Sequence, residues 1–129
     1  MIKFKEIRLY PTMHHVDVWI TEEPSSLNDI FMKRYGMKQS DIDNDPINSD
    51  ECMLLYTQKE SDLNGEKRFV IVLNNNKDAH VVVHEVNHLK WQLSGETGLE
   101  INTHSQEWQS YFMDYITEEI LKDDYNTQG

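Results

Sequence analysis

The stretch Ala79-His80-Val81-Val82-Val83-His84-Glu85-Val86-Asn87-His88-Leu89-Lys90-Trp91-Gln92-Leu93 decides the fold, because it reads either as one helix or as a buried strand ending at Val83. Three consecutive β-branched valines favour a strand when taken alone. Val82, Val86, Leu89 and Leu93, however, recur at three- and four-residue steps, the spacing of one helical face. Asp78 can serve as N-cap and Gly95 supplies a stop, so the pattern predicts a helix over Ala79 to Leu93 with an apolar stripe in the core. A buried helix can use valines that an exposed one has little reason to use. On such a helix His84 and His88 stand on an adjoining face, about 6 Å apart along the axis, so both imidazoles can reach one metal ion.

The five residues from His84 to His88 form an H-E-x-x-H motif. Glu85 then lies beside the metal, placed to take a proton from a metal-bound water and pass it to a leaving group, the general-base role of this spacing in zinc peptidases. Asn87 points to another face and reads as structural. Catalytic zinc takes three protein ligands and a water, so a third side chain must come from another element. After Gly95 the chain offers Glu96, Glu100, His104 and Glu107. The last two open a second helical pattern, Ser105 to Leu121, with Trp108, Phe112, Tyr115 and Ile116 as apolar positions and Ser105 as cap. Glu107 falls in its first turn, where the helix dipole favours a carboxylate. Its separation from His88, 107 − 88 = 19 positions, leaves room for one helix to end and the next to begin. His104 is chemically the better zinc donor but precedes the helix. A metzincin extension is absent, since Trp91 stands where glycine is required and Ser94 where histidine is.

The segment His84 to Ile116, with H-E-x-x-H, a glycine-containing loop and then Glu107-Trp108-Gln109-Ser110-Tyr111, resembles the gluzincin pattern of metallopeptidases. More narrowly it is similar to small phage-encoded H-E-x-x-H proteins whose second motif reads roughly E-A-x-A-Y. The match covers about a quarter of the chain, and Trp108 and Ser110 replace the small residues usual there. The resemblance implies a zincin-like domain, zinc held by His84, His88 and Glu107, hydrolysis of a peptide or protein substrate, and the host cytoplasm as setting if a phage encodes the chain. Tyr111, one turn beyond Glu107, shares its face; its hydroxyl can donate to a tetrahedral oxyanion, or its ring can simply pack the two helices.

Two other readings carry their own residues. Glu51-Cys52-Met53-Leu54 followed by His84-Glu85-Val86-Asn87-His88-Leu89 is similar to peptide deformylases, whose metal is held by one cysteine and two histidines; their glycine-rich N-terminal motif is missing here. A lone cysteine in a strand is otherwise a small buried hydrophobe. The chain can also be a metal-bound interaction module that acts on a host protein without turnover. His80, one turn before His84, is either an outer group of the site or an exposed helix-start residue. His14 and His15 adjoin a turn and read as surface residues.

Composition bounds these readings. The chain has 129 residues, which fits one domain. Twelve basic and twenty-three acidic residues give a formal charge of −11, which argues against nucleic acid or anionic membrane as partners. That charge favours cationic peptides near a cleft, or serves solubility alone. One cysteine excludes an internal disulfide and suits a reducing cytosol. Met1 to Ile7 alternates charged and apolar residues without a signal-peptide core, and no apolar run approaches membrane-spanning length, so a cytoplasmic location is expected.

Elsewhere, Lys3 to Tyr10 and Val16 to Thr21 read as a hairpin broken at Pro11-Thr12. Pro24-Ser25-Ser26 starts a helix through Tyr35 that ends at Gly36. Gln39 to Asp50 reads as a solvated polar loop, its Asp41-x-Asp43-x-Asp45 run lacking the glycine and glutamate of a calcium loop. Cys52 to Gln58 and Lys67 to Asn74 form strands around Asn64-Gly65, and Asn74-Asn75-Asn76 leads to the motif helix. The order strand, strand, helix, strand, strand, helix, helix predicts an α+β domain with an antiparallel sheet packed against helices.

Overall fold

Phe69-Val70-Ile71-Val72-Leu73 shows no polar alternation, the mark of a strand covered on both faces. In the computed structural model, which describes residues 1–75 and 78–128, this run is the buried part of β4 (Lys67–Leu73) and lies inside a five-stranded sheet. Asn76, the last residue of the asparagine run, lies outside the described residues.

β1 (Ile2–Arg8) and β2 (His15–Ile20) form the expected antiparallel hairpin, with Lys3 opposite Ile20 and Arg8 opposite His15. A 3-10 turn at Pro24–Leu27 feeds α1 (Asn28–Tyr35). Gly36 ends α1 at φ 74°, and a Cβ there would sit 2.6 Å from Gln58 Cβ, so both conformation and space require glycine. The predicted loop after it contains a short helix, α2 (Gln39–Asn44), with Asp41 in its first turn accepting from the Lys38 backbone N–H at 3.1 Å. Ile42 is buried beneath it, an apolar anchor that one residue among aspartates does not advertise. β3 (Glu51–Tyr56) and β4 form the second antiparallel hairpin, turning at Asn64 and Gly65, whose φ values are 50° and 83°.

The strand order is β3-β4-β2-β1-β5, where β5 (Asn126–Gln128) is a short strand on β1. The sheet is mixed, not antiparallel as expected, because β2 and β4 run parallel with Val18 opposite Ile71. The helical connection returns to the end of the sheet where β2 finishes, β3 runs antiparallel to β2 from there, and the turn into β4 reverses the chain again, so β4 lies between them in the direction of β2.

α3 (Ala79–Thr97) and α4 (Gln106–Leu121) cover one face. Val82, Val86, Leu89 and Leu93 of α3 meet Phe112, Ile116 and Ile120 of α4 and the inward residues Val18, Phe69 and Ile71 of the sheet. The other face carries α1, with Trp19, Phe31, Tyr35, Val70 and Val72 in its core. α3 continues through the expected stop at Gly95 and ends at Gly98, φ 77°. A glycine inside a helix costs about 1 kcal/mol relative to alanine. Packing of Leu93 before it and the Lys67–Glu96 ion pair after it offset that cost. No described helix is long and apolar enough to cross a membrane.

Candidate metal centre

The motif residues sit in the middle of α3, where Asp78 caps the first turn by accepting from His80 N–H at 2.8 Å. The stripe from Val82 to Leu93 pins the helix to the core, so its rotation is set and the opposite side faces solvent. His84 and His88 are exposed on that side, whereas Glu85 is only 4% exposed.

The two histidine Nε2 atoms converge to 3.1 Å, with ring planes at 76°. Two nitrogens on one tetrahedral zinc, each about 2.0–2.1 Å from it, are separated by about 3.3 Å. The observed separation is close to that value, and it is also the distance of a hydrogen bond between the two rings. One ligand atom from each of His84, Glu85 and His88 falls within 4.8 Å of the others. The donor set, two imidazoles and a carboxylate, suits zinc or a similar divalent ion.

Glu85 has no hydrogen bond or ion pair among the described residues. Burial raises its pKa from the ordinary value, the charges of His84 and His88 oppose that rise, and Asp50 and Glu51 reinforce it. A carboxylate that is buried, unpaired and more basic than usual is suited to accept a proton. A cavity of about 410 Å³ opens beside it, lined by Asp50, His80, Val81, His84 and Glu85.

The flanks of α3 determine what the centre faces. Gln92 donates from Nε2 to the Cys52 carbonyl at 3.2 Å and Glu96 pairs with Lys67, so one flank runs beside β3. Lys90 reaches Gln109 Oε1 at 3.4 Å on the flank towards α4. At about 100° per residue, His84 and His88 lie closer to the β3 flank than to Lys90.

The remaining candidates take different places. Glu107 is exposed in the first turn of α4 and does not belong to the His84, Glu85 and His88 group. His104 is exposed in the 3-10 turn at Thr103–Ser105, its N–H held by Asn102 Oδ1 at 2.8 Å. Asn102 and that turn take over the capping expected of Ser105, whose hydroxyl bonds Asn102 and Gln109. Tyr111 is exposed, stacked on Tyr115 at 6.0 Å, and Tyr115 in turn meets Tyr10 at 6.4 Å. Cys52 bonds Gln92 Oε1 at 3.5 Å; burial, then the charges of Glu85 and Glu51, push its thiol pKa well up.

His80 lines the cavity and is exposed. His14 and His15, expected at the surface, are half-buried instead. The His14 ring stands edge-on to Phe69 at 5.7 Å and His15 Nδ1 is covered, because the sheet packs tightly where β2 begins. Asp50, read as part of a solvated loop, is the site residue that sequence pattern missed. Its φ of 57° and its place just before β3 carry the signal, and both depend on the folded backbone.

Comparison of the chain with protein-family models, with curated proteins and with solved structures finds no match, so the functional argument rests on the geometry of this centre.

Proposed function

We propose that the chain is a zinc-dependent hydrolase of peptide bonds, with His84 and His88 as metal ligands, Glu107 as the third and Glu85 as general base. The observation that carries this reading is the 3.1 Å convergence of two exposed imidazoles beside a buried, unpaired carboxylate. Glu107 is exposed, without an ion pair among the described residues, and stands on the helix that packs against α3. In this reading its carboxylate would complete the ligand set, although it stands outside the group formed by His84, Glu85 and His88. Zinc held by these residues would supply Lewis-acid activation of water and of the scissile carbonyl.

Glu85 takes the proton of the attacking water as the C–O bond forms. It returns that proton to the amine nitrogen as the C–N bond breaks, leaving a carboxylic acid and an amine. Its burial keeps bulk water from competing for the proton. Tyr111 belongs to this reading as an oxyanion donor, for which its hydroxyl must leave the stacked position against Tyr115.

A deformylase-like amidase would need Cys52 as a thiolate ligand, whereas burial and the charge of Glu85 push that thiol pKa up. Zinc content of dialysed protein separates the two. Glu107→Ala should lose zinc and cleavage of a mixed fluorogenic peptide pool, while Cys52→Ala should keep both. Full zinc in Glu107→Ala with loss in Cys52→Ala would overturn the preferred ligand set.

A further inference from the structure

The wall beside the metal centre is the start of β3, the outermost strand of the sheet. Asp50 lines the cavity next to His84 and Glu85, and the next residue, Glu51, lines a second groove of about 410 Å³ on the opposite side of the strand. That groove has Met37, Ile47 and Met53 along its apolar part and Asp41, Asp45 and Glu51 around them. None of these three acids is in an ion pair with any described residue. Burial and then the nearby Asp45 charge raise the Glu51 pKa, partly opposed by the Asn48 backbone. The groove thus concentrates negative charge over an apolar floor and contains no described cation.

The outer side of β3 pairs with no described backbone group, although Gln92 Nε2 contacts the Cys52 carbonyl. Alternate residues of an edge strand turn N–H and C=O groups outward, and an extended chain can add to them. Side chains of an added strand alternate between faces. One residue would then face the α3 side, where the metal centre lies, and its neighbour would lie over the groove on the α1 side.

We infer that this groove selects a lysine or arginine adjacent to the bond presented to His84 and Glu85, in an extended segment paired along β3. The inference rests on the peptide hydrolysis proposed above and specifies its substrate class. A long basic side chain fits both halves of the groove, since its methylene stem covers Met37 and Met53 while its charged end meets Asp45 and Glu51. An acidic residue at the same position meets like charge.

Binding can be separated from turnover with zinc-loaded protein carrying Glu85→Gln. The probes are fluorescein-labelled nonapeptides of alternating threonine and valine with a central lysine or a central glutamate, followed by fluorescence anisotropy. The lysine probe should bind about fivefold or more tighter at low salt, with the preference shrinking at high salt. Asp45→Asn with Glu51→Gln should remove the preference. Asp45→Lys with Glu51→Lys should invert it, a gain that a misfolded protein cannot give.

Equal binding of both probes, or a preference unchanged in these variants, overturns the inference. So does sedimentation showing β3 occupied by a second copy that neither probe displaces. Cleavage of both probes at equal rates by the unsubstituted enzyme leaves peptide hydrolysis standing and removes the selectivity. Lysine-selective binding without zinc-dependent cleavage does the reverse.

Discussion

Asp17 and Glu85 are both nearly enclosed carboxylates, 0% and 4% exposed, on opposite sides of the same sheet, yet their surroundings differ completely. Asp17 accepts from Arg34 Nε at 2.8 Å, Tyr35 Oη at 2.6 Å and an Arg68 terminal nitrogen at 3.0 Å. Arg68 also binds Glu6 and Glu66, and Trp19 Nε1 donates to Tyr35 Oη at 2.9 Å. Burial alone would lower the guanidinium pKa values, but Asp17, joined by Tyr35 at Arg34 and by Glu6 and Glu66 at Arg68, outweighs it and both arginines are held above their ordinary value. Burial, followed by the Asp17 charge, raises Tyr35 well above the usual phenol range. Both carboxylate oxygens of Asp17 thus accept hydrogen bonds, two of the three from guanidinium groups. Glu85 has no such partners, only two converging imidazoles on its solvent side. A buried charge that is saturated holds structure, whereas one left open is available for chemistry.

Asp17→Ala should show the larger of the two costs. It strips Arg68, 3% exposed, of its central partner and should destabilise by about 3–5 kcal/mol, read as a shift in urea midpoint at constant m-value. A loss below about 1 kcal/mol would mean that Glu6 and Glu66 suffice and that the contrast is overstated.

Glu85→Gln should leave stability nearly unchanged while lowering peptide hydrolysis by about 10²–10⁴-fold with zinc content intact. Removing an unpaired buried charge is the opposite experiment to removing a paired one. Strong destabilisation by Glu85→Gln would show that this carboxylate has a structural task.

Zinc itself should stabilise the protein, by about 2.7 kcal/mol at one hundred times the dissociation constant. The rise in melting temperature should vanish in His84→Ala and His88→Ala, and Asp17→Asn should retain it. Scanning calorimetry with and without a chelator measures this.

The smallest effect belongs to the rim of the saturated cluster. Burial raises the Glu6 pKa, but the hydrogen bond and charge of Arg68 outweigh it and hold the carboxyl below its ordinary 4.5. Its contribution is therefore present above the unfolded value and is lost as pH falls through the lower folded one. Glu6→Gln should flatten the acid limb of stability against pH by less than about 1 kcal/mol, measured by urea unfolding between pH 7 and 3.

Local pattern made much of this contrast readable on one side only. The repeat of Val82, Val86, Leu89 and Leu93 fixes α3, and the four-residue step from His84 to His88 follows from it. The Asp17 cluster has no comparable signature, because Glu6, Asp17, Arg34 and Arg68 lie on three strands and a helix and meet only after the sheet forms. α2 was hidden among aspartates for a related reason, its single anchor Ile42 needing a core to define it. The surroundings of the motif are equally long-range: Asp50 lines the cavity beside it and Cys52 contacts Gln92 of α3, both through the edge position of β3.

The chain by itself determined the helices around the motif, the two hairpins, and the pairing of two imidazoles with an adjacent carboxylate, since helical rise and turn geometry act over a few residues. Only the tertiary structure decided that β2 and β4 run parallel, that Glu85 is buried without a partner, and that the centre opens towards Asp50 and β3. These features depend on how distant segments pack, and packing sets the strand direction, the desolvation and the neighbouring charge that turn a local motif into a site.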